Sequence, residues 1–273
     1  MANFMILLKK NLVEMIRNKR IIIFSAVFVA LSLISAFSAK YLPVLLDFLL
    51  SELGEGMGNE LFLFEGTVAD SYIQLISNFG EIAILLVSIM FAGTIVKEKN
   101  KGTYYSLKMN GVKDHQIVLS HFVSQVILVG VSYLVSVAIF VLLNILLFRQ
   151  IMGLRGFVVL TYMFLLLLVT ICFSLFASCL CKKSGKAYLL VILSYFVVTF
   201  MEIIPYLNKV NPIHLLTIST NLMYIEEYSL SEHLITSFST IGICVGLITL
   251  SLFLVKNRIN NKKVLNNDNR ERI

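Results

Sequence analysis

Lys97-Glu98-Lys99-Asn100-Lys101-Gly102-Thr103-Tyr104-Tyr105-Ser106-Leu107-Lys108-Met109-Asn110-Gly111-Val112-Lys113-Asp114 is the polar break between two long apolar runs. Five lysines stand here against two acids. By the positive-inside bias, such a loop faces the cytoplasm. Its middle predicts a short helix with both ends marked. Gly102 breaks the helix before it, and Thr103 is placed to cap the next one by accepting an orphan backbone N–H. Asn110-Gly111 supplies a left-handed stop, and Asp114 is placed to cap the next long helix. Tyr104 with Leu107, and Tyr105 with Met109, fall at helical spacing and offer an apolar-aromatic face. A rigid helix of this kind is a handle for a soluble partner. The same pattern also describes an ordinary inter-span loop resting on headgroups.

The flanking runs settle the class of protein. The 273 residues are 58% hydrophobic and only 14% charged, with a mean hydropathy of +0.87. Several runs approach the ~20 apolar residues needed to cross ~30 Å of hydrocarbon. The expected fold is an all-α polytopic membrane protein with six spans, near residues 21–39, 80–96, 121–148, 157–181, 187–204 and 234–255. Residues 1–20 predict a basic amphipathic helix in the membrane interface, with Met5, Leu8, Leu12, Met15 and Ile16 on one face and Lys10, Glu14 and Arg17 opposite. Residues 256–273 form a basic, Asn-rich tail that the composition leaves without structure.

Charge orients the spans. If both termini lie inside, 19 of the 23 Lys and Arg flank the inner ends, and 11 of the 16 acids lie outside. An odd number of spans destroys that asymmetry. The net charge of +7 is spread over membrane-flanking loops, so it is no nucleic-acid signature. The long outer loop, residues 40–78, predicts two helices lying on the outer surface. One holds Leu45, Leu46, Leu49, Leu50 and Leu53, and Gly54, Gly56 and Gly58 end it. The other holds Val68, Tyr72, Leu75, Ile76 and Phe79. Between the fifth and sixth spans, Glu202-Ile203-Ile204-Pro205 and Asn211-Pro212 bracket a segment too broken to span and too apolar for a free loop. It predicts a re-entrant pair of half-helices dipping in from outside. Glu202, Pro205 and Pro212 are the candidate outer gate, with an ordinary interfacial carboxylate as the alternative for Glu202.

Much chemistry is excluded. No G-x-x-x-x-G-K-[ST] occurs, and Lys183-Ser184-Gly185-Lys186 has the wrong spacing. Glu226-Glu227 resembles the paired glutamates of intramembrane proteases, but lacks the following arginine and falls on the outer loop. No row of buried acids crosses the membrane as a proton or sodium relay needs. Gln125 and Asn144 read as interhelical hydrogen-bond partners. Cys172, Cys179, Cys181 and Cys244 read as small apolar thiols. Cys179-x-Cys181 before Lys182-Lys183 has metal binding or acylation as its alternative. No catalytic residue, cofactor site or metal site is expected in the chain.

Glu98-Lys99-Asn100-Lys101-Gly102-Thr103 followed by Leu107 resembles the acidic-x-x-x-Gly-Thr-x-x-x-Leu segment of ABC-2-type transporter permeases. The layout of the rest is similar: an interfacial N-terminal helix, six spans with inside termini, and a broken outer segment before the last. The family often has a proline a few residues after the Leu, where Asn110-Gly111 stands here. The resemblance implies that residues 97–112 carry a cytoplasmic coupling helix docking on a separate ABC ATPase, with Glu98, Gly102, Thr103, Tyr104, Tyr105, Leu107 and Met109 as its residues. Tyr104, Tyr105 and Leu107 are then the anchors, and Glu98 and Lys101 rim charges. It also implies a second permease subunit, identical or not, a bacterial cell-membrane location, and ATP and Mg on the partner ATPase. The long outer loop suits exporters of drugs, peptides or sodium. The rival reading is a membrane immunity or sensor protein that does not transport.

Overall fold

The computed structural model describes residues 2–53, 66–224 and 230–270. They form eleven α-helices: α1 Ala2–Arg17, α2 Arg20–Leu53, α3 Val68–Asn78, α4 Ile84–Phe91, α5 Thr94–Asn100, α6 Thr103–Met109, α7 Asp114–Phe148, α8 Leu154–Leu180, α9 Ser184–Met201, α10 His214–Tyr224 and α11 Leu230–Arg270. No strand occurs among the described residues. Six stretches of them are long and apolar enough to cross a membrane: Arg20–Leu46, Val68–Asn100, Asp114–Phe148, Leu154–Leu180, Ser184–Met201 and His233–Val255. The protein is therefore an all-α polytopic membrane protein. The Gly54–Gly58 and Glu226–Glu227 readings lie outside the described residues.

Several helices run further than the sequence suggests. Lys40 does not stop α2, and Pro43 sits inside it. The Lys40 ammonium instead lies 5.5 Å from the centre of the Phe148 ring, a cation–π contact that keeps the charge off bare lipid. The expected surface helix at 45–53 is thus the end of α2. Nor does the second expected surface helix lie flat. Thr67 and Asp70 close a reciprocal cap at its start, with Thr67 N–H to Asp70 Oδ2 at 2.9 Å and Asp70 N–H to Thr67 Oγ1 at 3.3 Å. Val68, Tyr72, Leu75 and Ile76 are then buried. A five-residue π-turn, Phe79–Ala83, joins α3 to α4 within one span. The widened turn leaves the Gly80 carbonyl to accept from Tyr195 Oη at 3.0 Å, the kind of repair a π-turn needs.

The membrane core is aromatic. Phe24 stacks on Phe91 with centroids 5.3 Å apart, and a chain of rings continues through Phe28, Phe79, Tyr133 and Phe164. Small hydroxyls bring α2 against α7: Ser25 bonds Ser132 at 3.1 Å and Ser32 bonds Ser136 at 2.6 Å. Pairs of this kind are the usual glue where water is absent. Asn144 Oδ1 accepts from Ser71 at 2.5 Å, the interhelical role its sequence position suggests. Gln125 differs: it is fully buried and neither amide atom has a partner.

A second, smaller core closes one end of the bundle. Leu7 of α1, Ile95 of α5, Tyr104 of α6, Ile117 and Val118 of α7, Leu175 and Cys179 of α8 and Val255 of α11 form one apolar cluster. The first and last helices, α1 and α11, therefore both meet α6 at this end of the bundle. Helix α1 does not float there. It buries Leu7, Asn11 and Met15 while Met5 and Ile16 stay exposed, a stripe shifted from the apolar face read in the sequence. The shift follows from Asn11, a polar residue placed in the seam, whose Nδ2 donates to Ser120 Oγ at 3.1 Å.

At the far end, residues 205–224 make one helix, α10, after a short 3-10 turn at Asn208–Val210, rather than two half-helices. Helix α11 runs on through the tail to Arg270, where no proline or glycine interrupts it.

Candidate functional site

The loop at residues 97–114 is built on borrowed support. Helix α5 starts after Gly93 with no side-chain cap of its own. Ser178 Oγ of α8 supplies one, accepting from the N–H groups of Ile95 at 2.9 Å and Val96 at 3.3 Å. Glu98 then turns inward and is only 8% exposed. Its Oε1 accepts from Lys10 Nζ at 2.8 Å, and its Oε2 lies 2.9 Å from His121 Nε2. This is not the rim charge the sequence suggests.

Gly102 takes φ +77°, with open space where a Cβ would stand. Only glycine adopts this left-handed conformation without strain. It turns the chain into α6, and its carbonyl accepts from the amides of Tyr105 and Ser106. Thr103 is the first helical residue, not the cap. Its hydroxyl donates back to the Glu98 carbonyl at 3.1 Å.

Tyr104 is 2% exposed, buried in the smaller core. Its hydroxyl donates to Asp114 Oδ1 at 2.6 Å, and Lys108 Nζ takes Asp114 Oδ2 at 2.9 Å. Asp114 is thus committed to α6 and does not cap α7. Burial first, and then the Asp114 carboxylate, push the Tyr104 phenol well above its ordinary value. The Lys99 ammonium lies 5.3 Å from its ring centre.

The exit of α6 is a Schellman stop. The Gly111 amide bonds the Lys108 carbonyl at 3.0 Å and the Val112 amide bonds the Leu107 carbonyl at 3.2 Å. Gly111 has φ +78°, and Leu107 and Val112 both pack on the smaller core, the hydrophobic contact typical of this stop. What remains outward is Tyr105, 47% exposed, and Met109, 89% exposed. Four residues apart, they share one helical face. The predicted apolar-aromatic face therefore divides: Tyr104 and Leu107 hold the helix to its own protein, and Tyr105 and Met109 face away.

Helix α6 is thus seated on its own protein by one face and exposes apolar side chains on the other. The sequence matches the family described as "ABC-2 family transporter protein" over residues 58–255. The chain belongs to the ABC-2 transporter family. A search of the curated proteins gives no significant match. Membership makes the chain the permease of an ABC transporter, a membrane component that is not itself catalytic, and it implies association with an ABC ATPase. The matched stretch runs from Gly58 to the end of the last span, so it takes in α6 and leaves α1 and α2 outside.

The ABC-2 permease treats its candidate gate residues differently from one another. Glu202 Oε1 lies 2.5 Å from His214 Nδ1 and 3.3 Å from Thr217 Oγ1, pairing the end of α9 with α10. Asn211 Nδ2 donates to the Val198 carbonyl at 2.7 Å. Thr236 and Ser239 of α11 donate to the Lys209 and Val210 carbonyls at 3.0 and 3.2 Å. Pro205 is exposed and Pro212 buried, so Glu202, Pro205 and Pro212 do not share one surface. All four cysteines are thiols, and no metal-holding group of three His, Cys, Asp or Glu occurs among the described residues. Between α4, α8 and α9 lies an apolar cleft lined by Ile84, Ser88, Leu166, Thr170, Phe173 and Tyr195.

Sequence reasoning missed Lys10, His121, Asp114 and Ser178 as parts of this site. Asp114 carried a false signal as a helix cap. Lys10 carried none, because its partner lies 88 positions away.

Proposed function

We propose that this chain forms the membrane path of an exporter and that α6 is its coupling helix. The observation that carries the reading is the split of α6 into a buried anchoring face and an exposed face of Tyr105 and Met109. The α6 end, which carries the five lysines of residues 97–113, is read as the cytoplasmic end, with both termini on that side. Tyr105 and Met109 enter an apolar pocket on the ABC ATPase, which holds ATP and Mg. One six-span chain does not enclose a path, so two permease subunits, identical or not, work with two ATPase subunits in the cell membrane. Closure of the ATPases on ATP moves α6, and the spans pass between inward-open and outward-open arrangements. The cargo is a drug, peptide or other amphipathic molecule.

The test is Tyr105→Ala combined with Met109→Ala. Neither residue lies in a span, so membrane insertion is unchanged. The ATPase is expected to be lost on co-purification, by about 2–4 kcal/mol in affinity, the scale of a hot-spot truncation. A double variant that retains a full complement of ATPase would remove α6 as the docking element.

A further inference from the structure

The aromatic core and the smaller core meet at a polar layer. Three spans pass from one core to the other, and each changes character where it does. In the second span, Phe91 belongs to the aromatic core and Ile95 to the smaller one, and the helix is interrupted between them at Ala92-Gly93. In α8, Ile171 belongs to the first and Leu175 to the second, with Ser174 between them. In α7, Leu128 belongs to the first and Val118 to the second, with Gln125 between them. Gln125 and Ser174 are both 0% exposed. Among the described residues, neither the Ser174 hydroxyl nor either amide atom of Gln125 has a hydrogen-bond partner.

We infer that Gln125 is a positioning residue of the transport cycle, which bonds Ser174 in a second arrangement of the spans, when the smaller core slides against the aromatic one at this layer. The inference rests on the two arrangements of the proposed function. A primary amide carries two donors and a carbonyl that accepts twice. Buried bare, it gives up its bonds to water with no return, so packing alone favours Leu or Met at this position. Further along the same helix stands the contrast. Asn144 is also buried, and both of its amide atoms are bonded, one to Ser71 and the other to the Phe140 carbonyl. The bundle thus satisfies a buried amide where it is fixed, and leaves one bare where its two cores part.

The layer has the means to move. The interruption at Ala92-Gly93 separates α5 from the hydrogen-bond ladder of α4. Ser178 of α8 holds the start of α5 instead. Helix α5 and the inner end of α8 are therefore tied to each other, and both sit in the smaller core through Ile95, Leu175 and Cys179. A few residues at the ends of elements are what a hinge needs. Helix α7 runs unbroken through the layer, so α8 moves there by sliding along it. An amide and a hydroxyl bond each other in either sense. A slide that brings Gln125 to Ser174 therefore satisfies both side chains with one contact.

The experiment uses the full chain with its cognate ABC ATPase in lipid nanodiscs, and reads the thermal unfolding of the chain and the ATP turnover of the complex. Gln125→Met keeps the volume and removes the amide. It is expected to raise the unfolding temperature by a few degrees, while the ATPase co-purifies in full. ATP turnover is expected to fall roughly tenfold, the factor one buried hydrogen bond makes in an equilibrium between two arrangements. Ser174→Ala moves both readings the same way. The double variant adds to the gain in stability but not to the loss of turnover, because both substitutions delete the same bond. Asn144→Leu, at an amide whose bonds are made, lowers the unfolding temperature. An unfolding temperature unchanged or lowered in Gln125→Met, an unaltered turnover, or a further loss of turnover in the double variant overturns the inference and leaves the exporter reading standing. An ATPase that does not bind the unaltered chain overturns both.

Discussion

The Tyr104 hydroxyl and the Asp114 carboxylate, ten residues apart, meet at 2.6 Å. The bond clamps the first turn of α6 to the first turn of α7, with Lys108 completing it from the other end of α6. Helix α6 therefore moves with the third span or must break this clamp to move alone. Tyr104→Phe keeps the ring in its buried site and removes only the donor. A hydrogen bond to a charged group contributes about 1.5 kcal/mol or more. Amide hydrogen exchange over residues 103–109 is expected to rise roughly tenfold, since 1.4 kcal/mol is a factor of ten in a local opening equilibrium. Unchanged exchange would show the clamp to be idle. Tyr104→Ala adds a cavity and costs about 3–5 kcal/mol.

Gly111 and Gly102 are held at positive φ for different ends of the same helix. A Cβ meets nothing within 4 Å at either site, so alanine there costs backbone strain alone, about 1–2 kcal/mol. Gly111→Asn, which tolerates the left-handed region better, is expected to cost less than Gly111→Ala in thermal unfolding of the detergent-solubilised protein. An equal loss for the two would point to a steric cause.

The orientation rests on charge, and single cysteines test it. Placed at Lys101 and at Lys183, they are expected to be shielded from an impermeant thiol reagent in intact cells, while one at Glu55 is labelled. Labelling at Lys101 from outside would invert the scheme.

At the opposite end, Asn211 is a joint between α9 and α10. Its Nδ2 binds the Val198 carbonyl and its Oδ1 accepts from the Ile213 amide at 3.1 Å. Asn211→Ala removes both bonds from a buried position and is expected to cost about 2–3 kcal/mol. Proteolysis at residues 203–210 should accelerate in parallel. Thr217→Val, at an exposed edge of the same cluster, is expected to change neither.

The parts of this architecture legible in the sequence are those with a local signal. Six apolar runs, the two glycines around α6 and the family-like Glu98–Leu107 spacing all announce themselves within a few residues. The illegible parts depend on distance. Lys40 looks like a span boundary until Phe148, 108 positions on, provides its ring. Tyr104 and Tyr105 are interchangeable by composition. Only the packing of Leu7, Ile95 and Val118 around the first decides which one faces inward. Glu98 reads as a solvated loop charge because both of its partners come from other helices. In α1 the buried stripe runs through Asn11, so a search for apolar residues alone draws it displaced toward Met5 and Ile16, which stay exposed.

The π-turn at Phe79–Ala83 governs aim. There the Ile84 amide reaches the Phe79 carbonyl, five residues back instead of four. Each residue of an α-helix advances about 100° around the axis, so one additional residue rotates everything beyond it by that amount. Helices α4 and α5 lie beyond it in the same span, and with them Glu98. Deleting a single residue from the turn would lengthen no loop and disturb no cap. It would swing the Glu98 carboxylate about a quarter of a circle away from Lys10 and His121. The bearing of the whole α5–α6 end is thus set some fifteen residues earlier, by one irregular turn within a span.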